Sequence, residues 1–132
     1  MLLKDSKILI GDDSILARRR LKDLLSDMGA SHFIEAVNGA EAVEKYIAEQ
    51  PDLVFLDIVM PVKDGICALK EIMRQNPEAL AIIVSSVGTQ QQIKAAIEAG
   101  AKDFLQKPLN RDQLKNILAA RFDASIDNTL RE

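Results

Sequence analysis

Leu-Val-Phe-Leu-Asp at residues 53–57 places four consecutive apolar residues directly before an acid. Apolar runs without alternation are typical of a strand in a parallel sheet that helices cover on both faces. Pro51 precedes the run, and Met60-Pro61 breaks the chain soon after it. These residues therefore predict a central strand of a parallel sheet, with an aspartate at its end.

Four other short strands are predicted along the chain, at Ile8–Gly11, Phe33–Val37, Ala81–Val84 and Asp103–Gln106. A segment of helical period follows each strand, and the one after the first strand has apolar residues at i, i+3, i+4 and i+7 from Leu21. Five strands and five helices in strict alternation predict a single α/β domain built around a parallel sheet.

Three smaller features have ordinary structural interpretations. In the second helix Val43, Tyr46 and Ile47 are predicted to face inward. The charge run Arg18–Arg20 predicts a solvated helix face. Cys67 is predicted to be a half-buried packing residue without a redox role.

The composition indicates a globular protein and argues against several other classes. The chain has 132 residues, 48% of them hydrophobic and 28% charged, which fits one globular domain over residues 1–122 and a flexible polar tail at 123–132. A net charge of −3 argues against a nucleic-acid partner. A single cysteine cannot form an internal disulfide, and neither a signal peptide nor a membrane span is visible. We therefore expect a cytoplasmic protein with no membrane partner.

Four of the five strands end in side chains that carry chemistry. Asp12 and Asp13 follow the first strand, Asp57 the third, Ser85 the fourth and Lys107 the fifth. The carboxyl ends of parallel strands share one edge of the sheet, where open α/β sheets bind ligands. We therefore expect these residues to converge, although they lie far apart in the sequence.

The chemistry of such a set is that of a metal-assisted phosphoryl transfer. Three crowded carboxylates repel one another, and a hard divalent cation such as Mg²⁺, or Mn²⁺ in its place, relieves that repulsion. A carboxylate is also a nucleophile that forms an aspartyl phosphate, while a lysine and a hydroxyl balance and bind the added phosphate. Positioning and charge stabilisation are what phosphoryl transfer chiefly needs.

Taken singly, each of these side chains has a simpler interpretation. Asp12 and Asp13 would serve as caps of the first helix, and Lys107 would be a surface lysine. Ser85 would be a loop or capping residue, and Phe104 a core residue. The functional interpretation rests on the whole set in this order, not on any one member.

The ordered motifs resemble those of response-regulator receiver domains. The matching segments are Ile-Leu-Ile-Gly-Asp-Asp-Ser at 8–14, Leu-Asp-Ile-Val-Met-Pro at 56–61, Asp64-Gly65, Ser85, and Gly-Ala-Lys-Asp-Phe-Leu-Gln-Lys-Pro at 100–108. The resemblance spans about residues 7–121. It implies a doubly wound, flavodoxin-like α/β fold with five parallel strands in the order 2-1-3-4-5.

The resemblance also implies a role for each residue of the acidic set. Asp57 would be the phospho-acceptor, and Asp12 and Asp13 would hold Mg²⁺, with Asp13 the more direct ligand. Val59 would contribute its backbone carbonyl to the metal. Lys107 would pair with the phosphate and precede a cis bond to Pro108.

Two further residues match the conformational switch of the family. Ser85 matches the switch hydroxyl, with its neighbour Ser86 left open as an alternative, and Phe104 matches the switch aromatic. The single histidine, His32, is expected to be structural or exposed rather than a phosphoryl relay.

By the same resemblance, the chain would be a stand-alone response regulator that catalyses only its own phosphorylation and dephosphorylation. The phosphoryl group would come from a sensor histidine kinase, a phosphotransfer protein or a small phosphodonor. A downstream protein would bind the face made by the fourth helix, fifth strand and fifth helix. Candidate residues of that face are Gln90, Gln91, Lys94, Lys102 and Gln106. Chemotaxis-type control and a phosphorelay shuttle both stay open.

Three other functions compete with this one. A phosphatase or phosphotransferase for an external substrate would use similar chemistry, but such enzymes usually place a second acid where this chain has Val59. A flavin binder would need a Ser/Thr/Gly-rich phosphate loop at the strand ends, which is absent from the sequence. A degenerate domain that serves only for interaction is disfavoured because the acidic set is complete.

Overall fold

The computed structural model of the chain describes residues 2–121, and the tail predicted at 123–132 lies outside them. All five predicted strands are present: β1 (Lys7–Gly11), β2 (His32–Ala36), β3 (Leu53–Leu56), β4 (Ala81–Ser85) and β5 (Asp103–Gln106). They alternate with α1 (Ile15–Asp27), α2 (Gly39–Glu49), α3 (Gly65–Gln75), α4 (Gln90–Ala99) and α5 (Arg111–Arg121). A short 3-10 turn, Leu3–Asp5, precedes β1.

The strands form one sheet in the order β2-β1-β3-β4-β5, and all four pairings between neighbours are parallel. The predicted order is confirmed. All four residues of β3 are buried, which confirms that the continuous apolar run marks the centre of the sheet. The order reverses between β1 and β3, so a crevice is expected at the carboxyl end of these two strands.

Two apolar layers cover the sheet, because successive strand residues point to opposite faces. Leu9, Val54 and Ile83 pack on the face covered by α2, α3 and α4. Ile10, Phe55 and Val84 pack on the opposite face, beneath α1 and α5. The domain is thus doubly wound. No helix within residues 2–121 has both the length and the apolar character needed to cross a membrane.

All five helices begin at the carboxyl edge of the sheet, and a polar side chain caps each of them. The capping side chain accepts a hydrogen bond from the backbone N–H three residues further on, which satisfies a donor that the first helical turn leaves unpaired. The capping residues are Ser14, Asn38, Asp64, Thr89 and Asn110. These short loops bring the strand ends together at one edge.

One side-chain burial prediction in α2 and one in α3 are wrong. Ile47 was expected to face inward but is exposed, because the buried stripe of α2 runs through Ala42, Val43 and Tyr46 and leaves position 47 beside it. Cys67 is exposed rather than half-buried, because it lies outside the buried stripe of α3.

The loop between β3 and α3 contains a strained turn. The N–H of Lys63 donates to the carbonyl of Pro61 at 2.7 Å, which closes a γ-turn around Val62, whose φ is 69°. A β-branched residue rarely adopts positive φ, and this kind of γ-turn is strained. The carbonyl of Lys63 also accepts a hydrogen bond from the N–H of Gly39, so the strained turn is tied to the start of α2.

We expect Val62→Asn to stabilise the protein, because asparagine tolerates positive φ better than valine. The Val62 side chain is 82% exposed, so little packing is lost. Relief of the strain should raise the free energy of unfolding by about 1 kcal/mol, measured by urea denaturation. Val37→Asn is the control, since Val37 is also exposed but has no positive φ. Equal effects of the two substitutions would contradict the strain argument.

Candidate functional site

Three acids meet at the carboxyl edge of the sheet, as predicted. One carboxylate oxygen from each of Asp12, Asp13 and Asp57 lies within 4.8 Å of the others. The sheet itself positions them: the N–H of Asp57 donates to the carbonyl of Gly11 at 2.9 Å, and the N–H of Asp12 donates to Ala36 at 3.0 Å. The acids therefore follow directly from the last rungs of the β1–β3 and β1–β2 ladders.

Lys107 joins two of these acids. Its Nζ donates to Asp12 Oδ2 at 2.7 Å and to Asp57 Oδ2 at 3.0 Å. The backbone N–H of Lys107 continues the β4–β5 ladder by donating to the carbonyl of Ser85 at 2.9 Å. The Lys107-Pro108 peptide bond is cis, as the resemblance implies. Residues separated by 95 positions thus form one ionic cluster.

The remaining carboxylate oxygens are held by backbone donors. Asp12 Oδ1 accepts from the N–H of Ser14 at 2.9 Å, and Asp57 Oδ1 accepts from the N–H of Val59 at 3.2 Å. Asp12 and Asp57 are buried, whereas Asp13 is exposed. The cluster is therefore fixed at its base and open to solvent through Asp13.

Opposing effects act on the pKa of Lys107. Partial burial alone would lower it, but hydrogen bonds and charge attraction from Asp12 and Asp57 outweigh burial and hold the pKa above its ordinary value. The ammonium is therefore fully charged at neutral pH. It offsets only part of the negative charge of three carboxylates.

The donor set suits a hard divalent cation. Three carboxylates that each place one oxygen in a region a few ångströms across match the oxygen ligands that Mg²⁺ prefers, and the exposure of Asp13 leaves room for the waters that Mg²⁺ keeps. The predicted contribution of the Val59 carbonyl stays a prediction. The Val59 side chain is exposed.

A glycine allows the acidic loop to close. The N–H of Gly65 donates to the carbonyl of Ile58 at 2.8 Å, which brings the start of α3 against the residues that follow β3. A Cβ atom on Gly65 would lie only 2.0 Å from the carbonyl oxygen of Asp57. A larger residue would therefore displace the backbone that carries Asp57.

The two residues matched to the switch lie on adjacent strands. Ser85 ends β4 and is completely buried, its Oγ accepting from the N–H of Val87 at 3.2 Å, whereas Ser86 is exposed. Phe104 in β5 is half-buried and packs against the core on the α2–α4 face. Neither side chain forms a hydrogen bond with the acidic cluster. His32 is exposed at the start of β2, away from the site edge.

Sequence reasoning misjudged Arg18. The run Arg18–Arg20 was interpreted as a solvated face, but Arg18 is only 9% exposed. Its Nη1 donates to the carbonyl oxygen of Asp12 at 2.6 Å, and its Nε donates to Glu35 Oε1 at 2.9 Å. A signal was available, since position 18 lies three residues before the buried Leu21 and thus on the inward stripe of α1.

Fold and site together define the class of protein: a doubly wound, flavodoxin-like α/β domain with a lysine-balanced cluster of three acids at its topological switch point. The family model of the response regulator receiver domain matches residues 8–119, and the chain belongs to this family.

Curated relatives of this chain include chemotaxis proteins of similar length. The chain is 48% identical over 108 residues to the chemotaxis protein CheY of Bacillus subtilis (strain 168), covering 82% of this chain and 90% of that protein. It is 45% identical over 112 residues to CheY of Thermotoga maritima, covering 85% and 93%. These similarities do not favour an enzyme that acts on an external phosphorylated substrate.

A solved structure supports the same conclusion. The chain has a TM-score of 0.84 and 35% identity to a chain in the crystal structure of a CheX-CheY-BeF3-Mg complex from Borrelia burgdorferi, covering 89% of this chain and 90% of that one. The protein is therefore a receiver domain of the response-regulator type, homologous to CheY.

Proposed function

We propose that Asp57 accepts a phosphoryl group from a phosphohistidine or a small phosphodonor in a Mg²⁺-dependent reaction. The observation that carries this proposal is the convergence of Asp12, Asp13 and Asp57 within 4.8 Å, with Lys107 bonded to two of them. Asp12, Asp13 and Asp57 would hold Mg²⁺, which when bound would neutralise the acids and supply positive charge to the phosphoryl group.

The transfer exchanges one bond to phosphorus for another. An Asp57 carboxylate oxygen attacks phosphorus, the bond to the donor nitrogen or acyl oxygen breaks, and the leaving group keeps the electron pair of that bond. The Lys107 ammonium, which already lies 3.0 Å from Asp57 Oδ2, stabilises charge on the phosphoryl oxygens. The Asp57 side chain needs little rearrangement, because the N–H of Val59 already donates to its Oδ1 atom.

We also propose that the phosphorylated site changes the partner-binding face through Ser85 and Phe104. Ser85 is the better candidate than Ser86, because it is buried at the end of β4 and its carbonyl bonds to Lys107. Phe104 is half-buried and packs against the core on the α2–α4 face. A phosphoryl group that attracts the Ser85 hydroxyl would shift the population between two packings of β4 and β5.

The partners follow from the same proposal. A histidine kinase or phosphotransfer protein would supply the phosphoryl group at the open edge of the site. A downstream protein would bind α4, β5 and α5, where Gln90, Gln91, Lys94 and Gln106 are all exposed. A solved relative is described as a complex of CheY with CheX, so a protein of that kind is one candidate partner.

Incubation with acetyl phosphate tests the proposed acceptor chemistry. With Mg²⁺, intact mass should increase by one phosphoryl group, and chelation of the metal should prevent the increase, because nothing then offsets the remaining charge of the three acids. Equal labelling in the presence of a chelator would contradict the metal-dependent proposal.

NMR spectra of the phosphorylated sample test the proposed conformational change at Ser85 and Phe104. Amide resonances of Ser85, Phe104 and the exposed side of α4 should shift on phosphorylation or on addition of beryllofluoride with Mg²⁺. Shifts confined to the residues around Asp57, with unchanged affinity of α4, β5 and α5 for a partner protein, would contradict the proposed output.

A further inference from the structure

Arg18 is a buried cation that does not touch any carboxylate of the acidic cluster. It lies in the second turn of α1, and its guanidinium bonds to the backbone carbonyl of Asp12 at 2.6 Å rather than to the Asp12 side chain. A buried charge needs a partner, and Glu35 at the end of β2 supplies it at 2.9 Å. Arg18 thus bridges α1, β2 and the loop that follows β1.

The carbonyl of Asp12 belongs to the peptide unit that joins Asp12 to Asp13. The ladder fixes one side of Asp12, whose N–H donates to Ala36 at 3.0 Å, and Arg18 fixes the other side through the carbonyl. A peptide unit is planar, so holding its oxygen also sets the direction in which the chain enters Asp13. Asp13 itself is exposed, and its side chain forms no hydrogen bond with any other residue of 2–121.

Glu35 orients the guanidinium and balances its charge. Burial alone would raise the pKa of Glu35, but hydrogen bonds from Arg18 and Lys22 outweigh burial and lower it, so the carboxylate stays ionised. Lys22 bonds to the other oxygen of Glu35 at 3.3 Å and is half-exposed. Because Glu35 pairs with Arg18, the guanidinium forms no ion pair with the three acids of the site.

We propose that Arg18 is a positioning residue for the metal site, holding the Asp12–Asp13 peptide so that both carboxylates point toward one cation. The proposal rests on the proposed function, in which these acids bind Mg²⁺. Arginine suits the task because its planar fork donates to two acceptors at fixed angles, which a single ammonium does not reproduce. Groups that orient metal ligands commonly change metal affinity when they are removed.

The test compares matched variants in the metal-free and Mg²⁺-bound protein. Arg18→Met and Arg18→Lys should each raise the Kd for Mg²⁺ by about tenfold, measured by calorimetric titration. Glu35→Gln should raise it less, because Arg18 keeps a weaker acceptor. Arg19→Met removes the same charge from an exposed neighbour, and Lys22→Met removes the other partner of Glu35. Both controls should leave the Kd within about twofold of the wild-type value.

A second readout separates positioning from general stability. In metal-free protein, the amide of Ser14, which donates to Asp12 Oδ1 at 2.9 Å, should exchange with solvent faster in Arg18→Met than in Arg19→Met, while amides of β3 stay protected. Lower stability of Arg18→Met with an unchanged Kd for Mg²⁺ would overturn the proposal, as would equal Kd increases in the Arg18 and Arg19 variants. Failure of the wild-type chain to bind Mg²⁺ would instead refute the proposed function on which it rests.

Discussion

Asp57→Asn is expected to abolish labelling by acetyl phosphate under conditions that phosphorylate the wild-type chain. The amide that replaces the carboxylate is uncharged and is a far weaker nucleophile, so no acyl phosphate forms. The change is nearly isosteric, and asparagine still offers an oxygen to the N–H of Val59. Intact mass measured over a time course gives the result directly.

The control for this variant lies in the same loop. Asp64 caps α3 through the N–H of Cys67 and stands outside the acidic cluster, so Asp64→Asn removes the same charge while keeping a good capping residue. It should be phosphorylated like the wild type. Stoichiometric labelling of Asp57→Asn would mean that another acid is the acceptor and that the assignment is wrong.

The hydrogen bonds around the site do not by themselves distinguish the acceptor. Asp12 and Asp57 each accept one backbone N–H and one bond from Lys107, so the two carboxylates have similar electrostatic environments. The choice of Asp57 comes from the receiver-domain motif at residues 56–61 and from its place at the end of the central strand. Labelling of Asp57→Asn and Asp12→Asn side by side would decide between them.

The fold was predictable from the sequence because local and global signals agree. The uninterrupted apolar run of β3 could be satisfied only between two layers of helices, and the helix starts are marked by capping residues such as Ser14 and Asp64. Convergence of Asp57 and Lys107 then follows from parallel topology alone. Both conclusions needed only the order of the elements along the chain.

Contacts that depend on tertiary packing were not predictable in this way. The helical period places position 18 on the inward stripe of α1, but it does not identify the partners of Arg18, which are Glu35, 17 residues away on β2, and a backbone carbonyl. Ile47 is exposed because Tyr46, and not Ile47, packs into the core beneath α2. In both helices the contacts with neighbouring elements, and not the helical period alone, decide which side chains are buried.

Lys107→Met is expected to destabilise the metal-free protein, to tighten Mg²⁺ binding and to slow phosphorylation. Removal of the ammonium leaves Asp12 and Asp57, both nearly buried, without their shared cation. Metal-free protein should therefore lose about 3 kcal/mol of its free energy of unfolding, at the lower end of the range for a broken buried pair, because the Lys107 side chain is 24% exposed. Urea denaturation without Mg²⁺ measures the loss, and Lys94→Met, at an exposed pair, should have little effect.

The metal should bind Lys107→Met more tightly than it binds the wild type, because Lys107 no longer repels the cation or occupies the Oδ2 atoms of both acids. Phosphorylation by acetyl phosphate should nevertheless slow by about 100-fold, since the charge that develops on the phosphoryl oxygens loses a fixed partner. If Lys107 only held the site in shape, its removal would lower both the affinity for Mg²⁺ and the rate of phosphorylation. Tighter Mg²⁺ binding with slower transfer therefore distinguishes a charge that acts on the phosphoryl group from one that acts on the fold, and a joint fall would refute the role assigned to Lys107.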